Sequence, residues 1–170
     1  EYDLQKYVLN LGVMQQGIYF NYDWGKGTDW TFQTIQNLGH DMFAGYFHDM
    51  NNSFNDKNSV YALNDGWTGS AWTYTYGYIM TAAQKSEKIN QEQKGLLGVT
   101  KILKVELMPR IADTYGPIVY TKFGQEEGDN VDSQEAAYRQ FFKDLDEGVK
   151  LINEYKKDNA ALEPFAAADI

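Results

Sequence analysis

The sequence contains no cysteine in its 170 residues. Disulfides, thiolate nucleophiles and cysteine-ligated metals are therefore excluded within it, although the compartment stays open. Basic residues are scarce: 15 Lys and Arg stand against 24 Asp and Glu, a formal net charge of −9. They form no cluster, which argues against nucleic acid as a partner, because phosphate backbones are held by concentrated positive charge. The same balance argues against an anionic membrane surface. No apolar run approaches the ~20 residues that a helix needs to cross a bilayer. The opening residues, "EYDLQKYVLN", carry no signal-peptide pattern, so any targeting segment is expected to have been removed or never to have been present.

Familiar catalytic signatures are missing as well. There is no Gly-x-Ser-x-Gly, no phosphate loop and no dinucleotide fingerprint. Of histidines there are two, His40 and His48, roughly two helical turns apart and without an evident third ligand, so a metal site is not expected. "DKNSVYALND" opens like a calcium loop, but Val60 stands where the next oxygen ligand belongs and no glutamate closes it. Carboxylate pairs such as Asp144 with Asp146, or Glu126 with Glu127, read as solvated surface. On a helix, residues two apart do not face each other.

Aromatic residues, in contrast, reach 15%, enough to serve both packing and flat binding platforms. The apolar spacing predicts an all-α protein of five helical segments. The first carries Leu4, Tyr7, Val8, Leu11 and Ile18 and fades at Asn21. The second carries Phe32, Ile35, Met42, Phe43, Tyr46 and Phe47, with Thr28 or Asp29 as its N-cap. The third has Trp72, Tyr76, Ile79 and Ala83, with Ser70 as its cap. The fourth runs from about Asn90 to Thr114 through Leu96, Thr100, Leu103, Leu107 and Ile111, and Pro109 should kink it or end its regular part early. The fifth opens at "DSQEAAYRQFF", where Asp132 and Glu135 have the spacing of a capping box. "PIVYTKF" reads as a short extended piece.

The link between the fourth and fifth helices carries a resemblance. A helix, then "ADTYGPIVYTKF", an acidic gap and "DSQEAAYRQFFKDLDEGVKLI" resemble the SusD/RagB family of nutrient-binding outer-membrane lipoproteins. Tyr115, Gly116, Pro117 and Tyr120 match the first half of that pattern; Ser133, Gln134, Glu135, Tyr138, Asp144 and Leu145 match the second. "FQTIQNLGHDMFAGYF" resembles the helix in which the fold begins. "GWTGSAWTYTYGYI" resembles the family's Trp-x-x-x-Tyr-x-x-Ile segment through Trp72, Tyr76 and Ile79, while "TAAQ" stands where family members often carry an Asn. The matches extend from about Phe32 to Ile152 and lie in their order and spacing.

The resemblance implies antiparallel helical hairpins of tetratricopeptide-like type with long irregular loops. It implies that residues 1–170 form one helical domain, the N-terminal part of a longer protein whose lipid anchor, its contact with the membrane, lies outside this chain. It further implies cell-surface binding, without catalysis or cofactor, of an oligosaccharide or peptide nutrient for delivery to a TonB-dependent outer-membrane transporter. A fragment of an extracytoplasmic helical glycosidase or lyase is the alternative. Gly116 and Pro117 read as the joint of a helical hairpin, with Tyr115 and Tyr120 packing across its two helices.

Candidate ligand residues come from composition alone. "YALNDGWTGSAW" offers Tyr61 and Trp67 as platforms for sugar rings, with Asn64 and Asp65 as polar partners. Trp24 and Trp30 form a second platform, and Trp72 has the register of a core residue. The competing reading is that Trp67 anchors its loop onto the third helix.

Overall fold

The computed structural model describes residues 4–18, 32–51, 53, 58–125 and 131–159. The architecture is all-α. Helix α1 spans Leu4–Gly17, and α2 runs in π geometry over Gln33–His40 and continues through Asp41–Phe43. A single turn at Asp65–Thr68 leads into α3, which comprises Ser70–Tyr74, a π segment Thr75–Ile79 and Met80–Ile89. Helices α4 (Lys94–Tyr115) and α5 (Gln134–Asp158) form an antiparallel hairpin. Among the described residues, extended pairing is limited to one bridge between Ile118 and Asp132, within the segment expected to be extended.

The core follows the helical period. Met14 of α1, Ile79 of α3, Leu107, Met108 and Ile111 of α4, Ile118 of the link and Phe141 of α5 are all fully buried. On α1 the buried line is Leu11, Met14 and Gly17, whereas Val8 is exposed. The expected face was therefore rotated. The approach of α3 explains why: a Cβ on Gly17 would lie 2.8 Å from Ile79 Cγ1, so only glycine lets the two helices come this close. A buried polar thread joins α3 to α4, with Ser86 and Thr100 sharing a hydrogen bond of 2.7 Å and Asn90 Nδ2 donating to Ser86 Oγ.

Helix α4 begins four residues later than Asn90 and stays helical through Pro109 to Tyr115. An interior proline costs about 3 kcal/mol. Burial of Leu107, Met108, Ile111 and Ala112 around it offsets that loss, so Pro109 does not end the helix. Gly116 does so, at φ +82°.

Several local expectations are corrected. Ser133, not Asp132, caps α5, accepting from Ala136 N at 3.2 Å. Glu135 pairs with Arg139 instead of closing a capping box. Asp132 faces the other way and accepts from the backbone N of Tyr120 and Thr121 and from the Thr121 hydroxyl, which pins the link. Ser70 caps nothing: its hydroxyl donates to Gly66 O, and the N-cap of this region is Asn64. The helical part of α2 ends at Phe43, leaving Tyr46 and Phe47 exposed. The Thr28 and Asp29 caps fall outside the described residues.

The two link tyrosines part company. Tyr120 packs edge-on against Phe141 of α5, with ring centroids 4.7 Å apart. Tyr115 turns back to α3 instead, edge-on to Trp72 at 5.3 Å, and its hydroxyl donates to Thr68 O.

Candidate functional site

Trp67 is held by a one-turn helix whose geometry the sequence dictates locally. Asn64 sits at extended φ/ψ, and its Oδ1 accepts from Trp67 N at 3.0 Å, the standard use of an N-cap asparagine. Trp67 is thereby placed, half-buried, in the wall of a cavity of about 570 Å³. Ile35, Phe43, Leu63, Ala71 and Tyr115 supply further apolar and aromatic wall, and α4 contributes Arg110, Asp113 and Thr114.

The polar groups of this cavity are largely engaged. His40 Nε2 lies 3.2 Å from Thr114 Oγ1. The Thr114 hydroxyl donates its proton to Arg110 O at 2.7 Å, so it can only accept from His40, which fixes the Nε2–H tautomer. Burial depresses the His40 pKa, with Asp41 opposing and Arg110 assisting, so the ring is neutral near pH 7. Arg110 donates to Ile18 O and to Glu106, and Asp113 accepts from Gln134 and Tyr138. Asn58, almost wholly buried, donates to Leu38 O. Asn58 Oδ1 and Thr68 Oγ1, from two residues of the cavity wall, are enclosed without a partner.

The structure gathers the residues expected from sequence only in part. Trp67 lines the cavity. The Asn64 oxygen is committed to the cap, and Asp65 is exposed and borders a separate shallow depression with Gly66, Ser70 and Tyr78. Tyr61, at φ +58°, stacks on the outer side of the site against Phe43, with centroids 6.0 Å apart and planes 19° apart. Its hydroxyl donates to Phe43 O. Trp24 and Trp30 lie outside the described residues. Trp72 is half-buried against Tyr76 and Tyr115, in keeping with its core register. Asn58, Thr68, His40 and Phe43 had no local signal that would join them; their proximity comes from α2 packing against both the Asn58–Val60 turn and the Asp65–Thr68 turn.

A second cavity, of about 300 Å³, borders the hairpin, and Lys104, Tyr120 and Asp144 are among its walls. Asp144 is 4% exposed, which corrects its reading as solvated surface. It accepts from Tyr120 Oη at 2.5 Å and Gln140 Nε2 at 2.9 Å, with Lys104 at 3.5 Å and Lys101 at 3.9 Å. Burial alone would raise its pKa; Lys104, Tyr120, Gln140 and Lys101 together outweigh burial and lower it. The Tyr120 hydroxyl is pushed well up, first by burial and then by Asp144. Glu87 lies 2.6 Å from Lys104. A carboxylate so strongly held in its ionised form is a poor proton donor near neutral pH, and the network serves to lock the hairpin. Asp146 is exposed on another face, and Glu126 and Glu127 fall outside the described residues. Among the described residues no three His, Asp or Glu side chains are grouped to hold a metal.

Residues 1–169 match the SusD-like family, described as SusD and RagB outer membrane lipoproteins. The chain belongs to the SusD-like family. A solved SusD homologue from Bacteroides vulgatus ATCC 8482 is 58% identical with a TM-score of 0.86, over 93% of this chain and 32% of that one. A chitin-binding SusD homologue from Flavobacterium johnsoniae is 31% identical with a TM-score of 0.76, over 89% of this chain and 31% of that one. No curated protein matches. The SusD-like chain thus spans about a third of the length of these two solved relatives. Its family motif residues now have physical roles. Gly116 turns the chain, Tyr120 and Asp144 lock the link to α5, Ser133 caps α5, and Tyr138 donates to Asp113 across the hairpin at 2.8 Å. Among the described residues no helix is long and apolar enough to cross a membrane.

Proposed function

We propose that this SusD-like chain is one helical domain of a longer, non-catalytic, cell-surface protein that captures oligosaccharide and passes it to a TonB-dependent outer-membrane transporter. The observation that carries the ligand class is the Trp67 cavity. It combines aromatic and aliphatic wall with neutral hydrogen-bonding groups, and sugars need both: an apolar ring face to stack and hydroxyls to pair. The chitin-binding relative supports a glycan over a peptide. Family membership supports the transporter as partner.

Calorimetric titration with neutral hexasaccharides (chitohexaose, maltohexaose and cellohexaose), followed by chromatography of the recovered sugars, tests the reading. Saturable binding with intact sugar is expected. Cleavage products would replace it with the glycosidase or lyase alternative, and heat with a peptide pool but with no sugar would move the ligand class to peptide. Co-purification with a TonB-dependent transporter encoded beside the full-length protein tests delivery.

A further inference from the structure

Among the described residues, Tyr61 is the only one other than glycine with a positive φ, +58°. A bulky side chain in the left-handed region is an outlier, and strain of this kind gathers at functional positions. Three contacts hold Tyr61 there. Its N–H donates to Asn58 O at 3.1 Å, and its hydroxyl donates to Phe43 O at 3.2 Å. Its ring lies 6.0 Å from the Phe43 ring, with the planes 19° apart. Asn58 is 1% exposed and donates to Leu38 O, so the turn that carries Tyr61 is anchored in the protein. Tyr61 itself is nonetheless 70% exposed. So little burial repays little of the strain, and glycine or asparagine would make the same turn at lower cost.

We propose that Tyr61 is an outer platform of the Trp67 cavity and makes the site respond to the length of a sugar chain. The proposal rests on the glycan reading given above and goes further by separating an outer subsite from the cavity itself. Phe43 connects the two, since it lines the cavity and also carries the Tyr61 ring. Leu63 lines the cavity as well and is 69% exposed. A short sugar can be housed in the cavity alone, whereas a longer chain leaving it over Phe43 meets the Tyr61 face.

The exposed position suits this ligand class. A sugar ring can stack its apolar face on Tyr61 while its hydroxyls stay in water, so few polar groups are stripped of solvent. The aromatic ring is already fixed by its backbone and by Phe43, so stacking on it orders little further. Its hydroxyl is engaged with Phe43 O, which leaves the ring face as the contact. Tyr61 therefore reads the presence of a further sugar ring more than the pattern of hydroxyls that ring carries.

Two variants separate the ring from the backbone. Tyr61→Asn removes the ring and keeps the turn, because asparagine enters the left-handed region readily; Tyr61→Phe keeps the ring. Both are compared with wild type and Trp67→Ala by thermal unfolding and by calorimetry with chito-, malto- and cello-oligosaccharides from disaccharide to hexasaccharide. Wild-type affinity should rise with chain length. Tyr61→Asn should stay folded, weaken the hexasaccharide by about threefold to tenfold and leave the shortest saturating sugar unchanged. Tyr61→Phe should keep the wild-type dependence on length. Unchanged hexasaccharide affinity in Tyr61→Asn, with affinity lost in Trp67→Ala, would overturn this proposal and leave the glycan reading standing. Equal weakening at every length, or wild-type affinity that does not change with length, would also overturn it. Absence of binding to all three sugar series by wild type would remove the glycan reading and this proposal with it.

Discussion

Gly98 and Gly148 face each other across the α4–α5 hairpin with no room for a side chain between them. A Cβ on Gly98 would lie 2.7 Å from Gly148 O and 2.8 Å from Ile152 Cγ1; a Cβ on Gly148 would lie 3.0 Å from Gly98 O. Backbone-to-backbone contact at this point lets the flanking groups engage, with Lys94 reaching Glu154 and Asp158 at one end and Lys101 reaching Glu147 further along.

Gly98→Ala should therefore destabilise the chain by about 1–3 kcal/mol, because the new methyl meets backbone that cannot swing aside. Helix propensity alone argues for the opposite sign, a gain of about 1 kcal/mol. Urea denaturation decides between them, and a stabilised variant would show that the glycines are not a packing requirement.

Asp144 should make stability depend on acid. Its folded pKa lies below the ordinary 3.8, so the unfolded chain takes up the proton first. The carboxylate's contribution is present above the unfolded value and is lost as pH falls through the folded one. Asp144→Asn should flatten that part of the pH profile below about pH 4 and cost about 3 kcal/mol at pH 7, since Lys101 and Lys104 lose a buried partner. Unfolding midpoints from pH 2.5 to 7 check both, and a profile parallel to wild type would refute the assignment.

His40 acts in a higher window. Burial lowers its pKa from 6.5, so below the unfolded value the unfolded state binds the extra proton while the folded ring resists it. Stability should fall as pH drops from 7 toward 5, and His40→Gln should remove that component. Midpoints measured across this range will test it; an unchanged slope in the variant would place the titration elsewhere.

Trp67→Ala should weaken glycan binding by about 1–3 kcal/mol while leaving the helical circular dichroism intact, the loss expected of one aromatic contact in a formed site. Collapse of the fold would instead make Trp67 an anchor of its loop onto α3.

Exposed apolar residues on α5, Phe142 at 62% and Val149 at 51%, lie two helical turns apart on one face. A Phe142→Glu, Val149→Glu double variant should bind less hydrophobic dye than wild type at equal stability. Equal dye fluorescence would place the accessible apolar surface elsewhere.

What the sequence determined by itself is the local part of this protein. The helical period of α4, the turn at Gly116, the extended piece before Asp132 and the family motifs all depend on residues within a few positions of one another, and backbone sterics act at that range. Trp67 was legible as a candidate for the same reason, from an aromatic ring in a loop of Asn, Asp and Gly. Tertiary structure decided which partner each side chain took. Asp144 has the pattern of a surface acid, and only the arrival of Tyr120 and Lys104 from other elements buries it. Asp132 has the spacing of a cap, but the Ile118 bridge brings the Tyr120 and Thr121 amides closer to hand. Asn58 and Thr68 share a cavity wall because α2 packs against the turns that carry them. Long-range contacts of this kind depend on the mutual fit of whole helix faces, and a fit between distant surfaces leaves no periodic trace in either segment.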